Sequence, residues 1–183
     1  LFKDLISDWS EATIFPLALR NKLNRECPLA VSGKVFESRN KRTAKALIKL
    51  ADGLKIESVL MRHSGGRNSV CLSSQVGCPM GCGFCATGAM GFKRNLTADE
   101  IIDQYLFLAR HLKSKPGADK KITNVIFMGM GEPFLNYDSV MASIKTLNDK
   151  DLIGLGARHI SISTAGVVDG IKKLAGENIQ VNL

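Results

Sequence analysis

The sequence predicts an α/β fold built on parallel strands, preceded by a small helical region. Two observations carry that reading. From residue 69 onward, apolar segments alternate as strand, helix, strand, helix, strand, helix, strand, the order that parallel strands with crossover helices require. The residues suited to chemistry then fall just after those strands, where active sites form in such folds: Cys78–Cys85 after the first, Gly131-Glu132 after the second, Ser163-Thr164 after the third.

The elements follow in order. Phe2, Leu5, Ile6 and Trp9 have helical spacing, as do Leu17, Arg20 and Leu23 with Pro16 suited to a first turn, so residues 1–27 read as two short helices. Trp9 and Phe15 are expected in the core. Residues 43–51 and 54–61 read as a β-hairpin across the turn Asp52-Gly53. Ala44, Ala46, Ile48 and Leu50 share one face, and Lys45 and Lys49 the other, with Leu47 breaking the alternation. Ile56, Ser58 and Leu60 alternate on the return. His63, among the turn residues of HSGGRN, is expected in solvent.

A strand near Ser69–Ser73 leads into the cysteines. Thr97 and Glu100 form a T-x-x-E capping box opening a helix with Ile101, Tyr105, Leu108 and Leu112 on one face. A basic loop spans 113–121. A strand from Ile122 to Met128 ends in GMGEP, a helix covers about 137–147, and a strand runs from His159 to Thr164. A short helix covers about 167–175, and Ile179–Leu183 begins another strand. The domains are 1–42, helical with a linker; 43–68, the basic hairpin and its loop; and 69–183, the α/β core.

With 183 residues, 45% of them hydrophobic and 23% charged, the chain reads as a soluble domain with a real core. Its apolar runs are short, which excludes a membrane span, and no signal peptide opens it. It begins with Leu1 rather than Met, so its natural start is expected to lie upstream. The net charge of +8 is uneven. Residues 1–32 balance four basic against four acidic side chains, whereas 33–67 carry nine against three. That segment is a candidate phosphate-backbone footprint or a solvated basic face.

Four of the five cysteines lie in CLSSQVGCPMGCGFCATGAMGFKRNL, Cys71 to Leu96. Their clustering, odd number and lack of a secretion signal point to metal in a reducing cytoplasm rather than to disulfides. Cys78, Cys82 and Cys85 have the spacing C-x₃-C-x₂-C among glycines that let the backbone fold tightly. Three thiolates there can hold three irons of a four-iron cluster and leave the fourth open to a small molecule. The rival is structural zinc held by Cys71 and these three; such sites usually pair two C-x₂-C knuckles, and here only Cys82 and Cys85 make one. Glu132 could accept hydrogen bonds from an ammonium or ribose. Taken alone, a Gly-Glu-Pro run is also an ordinary tight turn, and Ser163 an ordinary helix cap.

The cysteine loop after the first strand, with a Gly-Glu run after the second, resembles the radical S-adenosylmethionine (SAM) enzymes. The longer segments CLSSQVGCPMGCGFCATGAMGFKRNL, FMGMGEPFLNY and ISISTAG resemble the RlmN/Cfr adenine methyltransferases of ribosomal RNA. The resemblance implies a partial radical SAM (βα) barrel in which Cys78, Cys82 and Cys85 bind a [4Fe–4S] cluster. The open iron would chelate the amine and carboxylate of SAM, with Gly131, Glu132 and Ser163 as further SAM contacts. Glu57 matches a proton acceptor, at slightly longer spacing from Cys71 than in the family.

In that family one SAM methylates a cysteine near the C-terminus. A second yields a 5′-deoxyadenosyl radical that takes hydrogen from that methyl group, and the carbon radical adds to adenine. Cys71 matches the cysteine that resolves the protein–RNA adduct by a disulfide with the methyl-carrying one. The implied activity is methylation of adenine carbon 2 in 23S rRNA at the peptidyl-transferase centre and in tRNA beside the anticodon. Carbon 8 methylation of the same rRNA adenine is the alternative, and a zinc-stabilised RNA-binding module the alternative of another class. A reductant such as flavodoxin or ferredoxin, a monomeric state and a cytoplasmic location complete the expectation. The family's later serine-leucine-histidine and asparagine contacts and its methyl-carrying cysteine have no counterpart before Leu183, so the chain is expected to be an N-terminal piece, inactive alone, ending at an exposed strand edge.

Overall fold

The structure, a computed structural model, describes residues 2–29, 31–116 and 121–183. The first expected helix does not form. Residues 2–5 make a turn, with Leu5 at φ +57°, and Asp8 caps a 3₁₀ turn at Trp9–Glu11 by accepting from Ser10 N at 2.7 Å. Ser and Asp side chains offer the backbone this local alternative to a helix. The second forms as α1 (Leu17–Glu26), with Pro16 one position earlier than expected, at the N-cap. Neither aromatic reaches the core: Trp9 is half-buried, its indole donating to Cys27 O at 2.7 Å, and Phe15 is 39% exposed.

β1 (Ser32–Glu37) has no counterpart in the sequence reading. It pairs antiparallel with β2 (Thr43–Lys49), which pairs with β3 (Lys55–Arg62), which pairs with β4 (Asn68–Cys71). A short ladder of β5 (Gln75–Val76) and β6 (Arg94–Asn95) encloses the cysteine loop and its one-turn helix α2 (Ala86–Ala89). Then come α3 (Ala98–Lys113), β7 (Asn124–Phe127), α4 (Tyr137–Asn148), β8 (Ile160–Ile162) and α5 (Val168–Ala175). One sheet runs β1-β2-β3-β4-β7-β8, parallel from β4 through β8. The hairpin is therefore continuous with the parallel strands. Past α5, the expected last strand makes a single parallel bridge, Asn182 to Ser161. Part of the expected basic loop, residues 117–120, lies outside the described residues.

The sheet has two unlike faces. Ala44, Ala46, Ile48, Ile56, Leu60, Val70, Val125, Phe127, Ile160 and Ile162 are buried with Ile101, Tyr105, Leu108 and Leu112 of α3 and Ile144 and Leu147 of α4. Each Val, Leu or Ile among them contributes about 1.5–3 kcal/mol. Because strand side chains alternate, the residues between them point to the other face, which no helix covers among the described residues. This open face carries Lys45, Leu47, Glu57, Val59, Cys71, Ile126 and Ser161.

α3 begins as the capping box requires: Glu100 N donates to Thr97 Oγ1 at 3.2 Å and Thr97 N to Glu100 Oε2 at 3.0 Å. Arg94 adds a fork onto the Glu100 carboxylate at 2.7 and 2.8 Å and reaches Asp52 of the hairpin turn at 2.7 Å. Cysteine loop, hairpin and helix start are thereby fastened together. At the other end of α3, Arg110 donates to the carbonyls of Ile6, Leu29 and Leu5, tying the N-terminal segment to the core. No helix among the described residues is long and apolar enough to cross a membrane.

Candidate functional site at the strand ends

Three loops meet at the C-terminal ends of β4, β7 and β8. The first is residues 77–93, whose ends are clasped by the β5–β6 pairing and by Lys93 N donating to Val76 O at 2.9 Å. Gly77 sits at φ +76°, and a Cβ there would stand 1.7 Å from Gly91 O, so the loop closes only on glycine. Within it, Cys78, Cys82 and Cys85 are half-buried free thiols. Backbone N–H groups of Gly88 and Thr87 hold the Cys85 thiol below its ordinary range, toward the thiolate that ligates metal. Open space surrounds Gly81 and Gly83, and Phe84 between two cysteines is 95% exposed.

Cys78, Cys82 and Cys85 on one glycine-rich loop are the donor set that a four-iron cluster takes, one cysteine for each of three irons, whereas a zinc site needs four donors around one centre. Cys71 is held apart, at the end of β4, where Met128 N–H donates to its thiol and burial pushes the thiol up.

The second loop, residues 128–132, is fixed by polar residues that the sequence reading passed over. Ser73, Ser74 and Gln75 are all buried. Ser73 Oγ accepts from Met130 N at 2.8 Å and donates to Glu57 O at 2.6 Å. Gln75 Oε1 accepts from Glu132 N at 2.9 Å while its Nε2 donates to Asn95 Oδ1 at 2.8 Å. Gln104 of α3, fully buried, accepts from Ser58 Oγ and Ser73 N and donates to Ser73 O and Glu100 O. The signal for these was S-S-Q beside the cysteines and a glutamine on the apolar face of a helix. Polar side chains buried this deeply must find partners, and here each does.

Gly131 stands at φ +100° with the Gln75 side chain and backbone against it, so no side chain fits there. Glu132 is 4% exposed. Its carboxylate accepts from Phe134 N at 3.0 Å, Thr164 Oγ1 at 2.7 Å and Ala165 N at 2.7 Å. The sequence suggested a carboxylate able to accept hydrogen bonds from an ammonium or ribose. In the fold it latches the second loop to the third and keeps about one of its four acceptor positions. Ser163, in the third loop, is exposed, its amide directed to Phe127 O at 3.3 Å.

Glu57 and Cys71 share the open face. Val59 is the direct partner of Cys71, so Glu57 lies one diagonal step away, about 7–8 Å between Cα atoms. The Glu57 carboxylate is half-exposed and ion-paired with Lys45 at 3.0 Å. All five cysteines are free, so the disulfide implied for Cys71 has no partner among the described residues. His63 is exposed as expected, with Nε2 3.1 Å from Ser69 Oγ.

A model of the radical SAM superfamily matches residues 72–183. The chain belongs to that superfamily. Membership implies a [4Fe–4S] cluster and S-adenosylmethionine as cofactors. Across its whole length the chain is 47% identical to "Probable dual-specificity RNA methyltransferase RlmN" of Syntrophomonas wolfei, covering 53% of that protein. It is 47% identical over 77% of its length to "Ribosomal RNA large subunit methyltransferase N" of Nitrosopumilus maritimus, covering 41% of it. A radical SAM methyltransferase from Sphaerobacter thermophilus superposes with a TM-score of 0.92 at 40% identity, over 98% of this chain and 52% of the other. The chain thus spans about half the length of the relatives it matches.

Proposed function

We propose that the chain is the cofactor-binding part of an RNA methyltransferase that modifies carbon 2 of an adenine in 23S rRNA and in tRNA beside the anticodon. The observation that supports this most is similarity over the whole chain, at 47% identity, to a protein named as a dual-specificity RNA methyltransferase. Cys78, Cys82 and Cys85 would hold the cluster, with Gly131, Glu132 and Ser163 around SAM. When bound, cluster and SAM together supply radical chemistry, which an adenine ring carbon needs because it is not nucleophilic.

The chain's own residues prepare the place. Gly131 lets Gln75 pack directly against the turn, and Glu132 fixes the loops beside it. Glu57 would take a proton from the substrate ring, its carboxylate oriented by Lys45. Cys71, buried and kept protonated until a partner arrives, would supply the thiol that frees the product. The setting would be cytoplasmic, the protein a monomer, and the reductant a flavodoxin or ferredoxin. Methyl transfer would require segments found in the other half of the relatives, so the chain alone would leave adenine unmethylated.

A chimera tests this. The chain would replace the matching half of the Syntrophomonas relative, in cells lacking their own such enzyme. Nucleoside digests should then contain 2-methyladenosine. 8-Methyladenosine would favour the alternative carbon, and no methylated adenine from a folded, cluster-loaded chimera would overturn the proposal.

A further inference from the structure

The first strand, absent from the sequence reading, changes what the basic segment can do. In β1, Gly33 and Val35 face the helices: a Cβ on Gly33 would meet Phe107 of α3, and Val35 packs against the core. By alternation Lys34 and Phe36 face the open side. Phe36 is 48% exposed, and Lys34 Nζ lies 5.2 Å from its ring centroid. Phe36 pairs with Lys45, Lys45 with Val59, and Val59 with Cys71. One row across the open face therefore joins the ring to the buried thiol over three strand spacings, roughly 14 Å.

The charge on this face is one-sided. Lys34, Lys45, Lys49 and Lys55 share it with a single acid, Glu57. The turn next to Phe36 adds Arg39, Lys41 and Arg42, all exposed. An exposed aromatic ring ringed by cations suits a nucleic-acid strand whose bases are unpaired. Each base has a π-face to stack, and the phosphates beside it are met by lysines. The Lys34 contact does not bar the ring, because a cation over an exposed ring is weakly held and can move to a phosphate.

We propose that Phe36 is a stacking platform for an unpaired RNA base flanking the base presented at Cys71, with Lys34 and the β1–β2 turn holding the phosphates on either side. This rests on the reading of the chain as acting on RNA. It adds a binding residue on a strand outside the radical SAM loops, and places the RNA along the open face from β1 to β4.

The test measures binding of the 183-residue chain to a single-stranded RNA oligonucleotide carrying 2-aminopurine, over a range of salt. Phe36→Leu should weaken binding about ten-fold and abolish the quenching of 2-aminopurine, with the salt slope unchanged. Phe36→Trp should restore both. Lys34→Gln should instead reduce the slope of log K against log salt by about 0.7. Unchanged affinity and quenching in Phe36→Leu would overturn the platform and leave the RNA reading standing. Loss of self-association by Phe36→Leu, with RNA affinity intact, would reassign the ring to a contact between copies and also overturn it. No salt-dependent RNA binding by the unaltered chain would overturn the RNA reading, and the platform with it.

Discussion

Gly131 shows how little freedom the site leaves a single residue. Its φ of +100° disfavours any L side chain, and an added Cβ would lie 2.6 Å from Gln75 Cβ and 2.8 Å from Gln75 N. Gly131→Ala should cost about 2 kcal/mol or more and displace Glu132 from Gln75. Reconstituted protein should then bind SAM weakly while keeping its iron, which calorimetry and iron analysis would show together. Asp103 is a different case. Burial raises its carboxyl to about 6, opposed by the charge of Arg110 and aided by Asp99 and Glu100. The folded chain thus holds this proton more tightly than the unfolded one, whose carboxyl titrates near the ordinary 3.8. The sign follows: stability is lost as pH rises from about 4 to 6. Asp103→Asn should gain about 1 kcal/mol at pH 8, after allowance for partial exposure, and nothing below pH 3. Melting curves at the two pH values check it. The sequence made Cys78, Cys82, Cys85, Gly131 and Glu132 visible because their spacing is local. It did not show that the Glu132 carboxylate is engaged by Thr164 and Ala165, since that bond spans 32 and 33 positions.

Among the elements, those with a strong local signal were legible and those made by tertiary pairing were not. The capping box announced α3, and Asp52-Gly53 announced the turn between β2 and β3, where Gly53 has φ +85°. β1 gave no such signal. SGKVFE alternates, but only Val35 turns an apolar side chain to the core, and a glycine replaces the next inward residue because Phe107 stands there. The helix expected over residues 2–9 failed for the opposite reason: its apolar spacing was present, yet Asp8 used its side chain to cap a tighter turn. What holds that segment is Arg110, whose guanidinium reaches three carbonyls at 2.6–3.3 Å. Arg110→Met keeps the stem and removes the fork. It should cost about 2 kcal/mol and speed amide exchange in residues 2–29, leaving β3, β4 and β7 protected. Uniform faster exchange would mean that Arg110 supports the whole core instead.

At the scale of the molecule, the sheet divides the labour. One face packs on α3 and α4 and supplies stability. The other, uncovered by helices among the described residues, aligns Lys45, Val59, Cys71, Ile126 and Ser161 in register, with Glu57 one diagonal step from Cys71 and the cysteine, Gly-Glu and Ser-Thr loops at the strand ends. That division explains why the basic hairpin belongs to the same sheet as the parallel strands: it extends the open face beyond Cys71. The central claim is that Cys78, Cys82 and Cys85 form an open cluster site. It is tested most directly on the chain reconstituted without oxygen, by iron and sulfide analysis and by the EPR spectrum of the reduced protein before and after SAM, beside a Cys78, Cys82, Cys85 triple alanine variant. About four irons, lost in the variant, and a spectrum that SAM changes are the expected result. One zinc and no iron, or iron that survives in the variant, would contradict it.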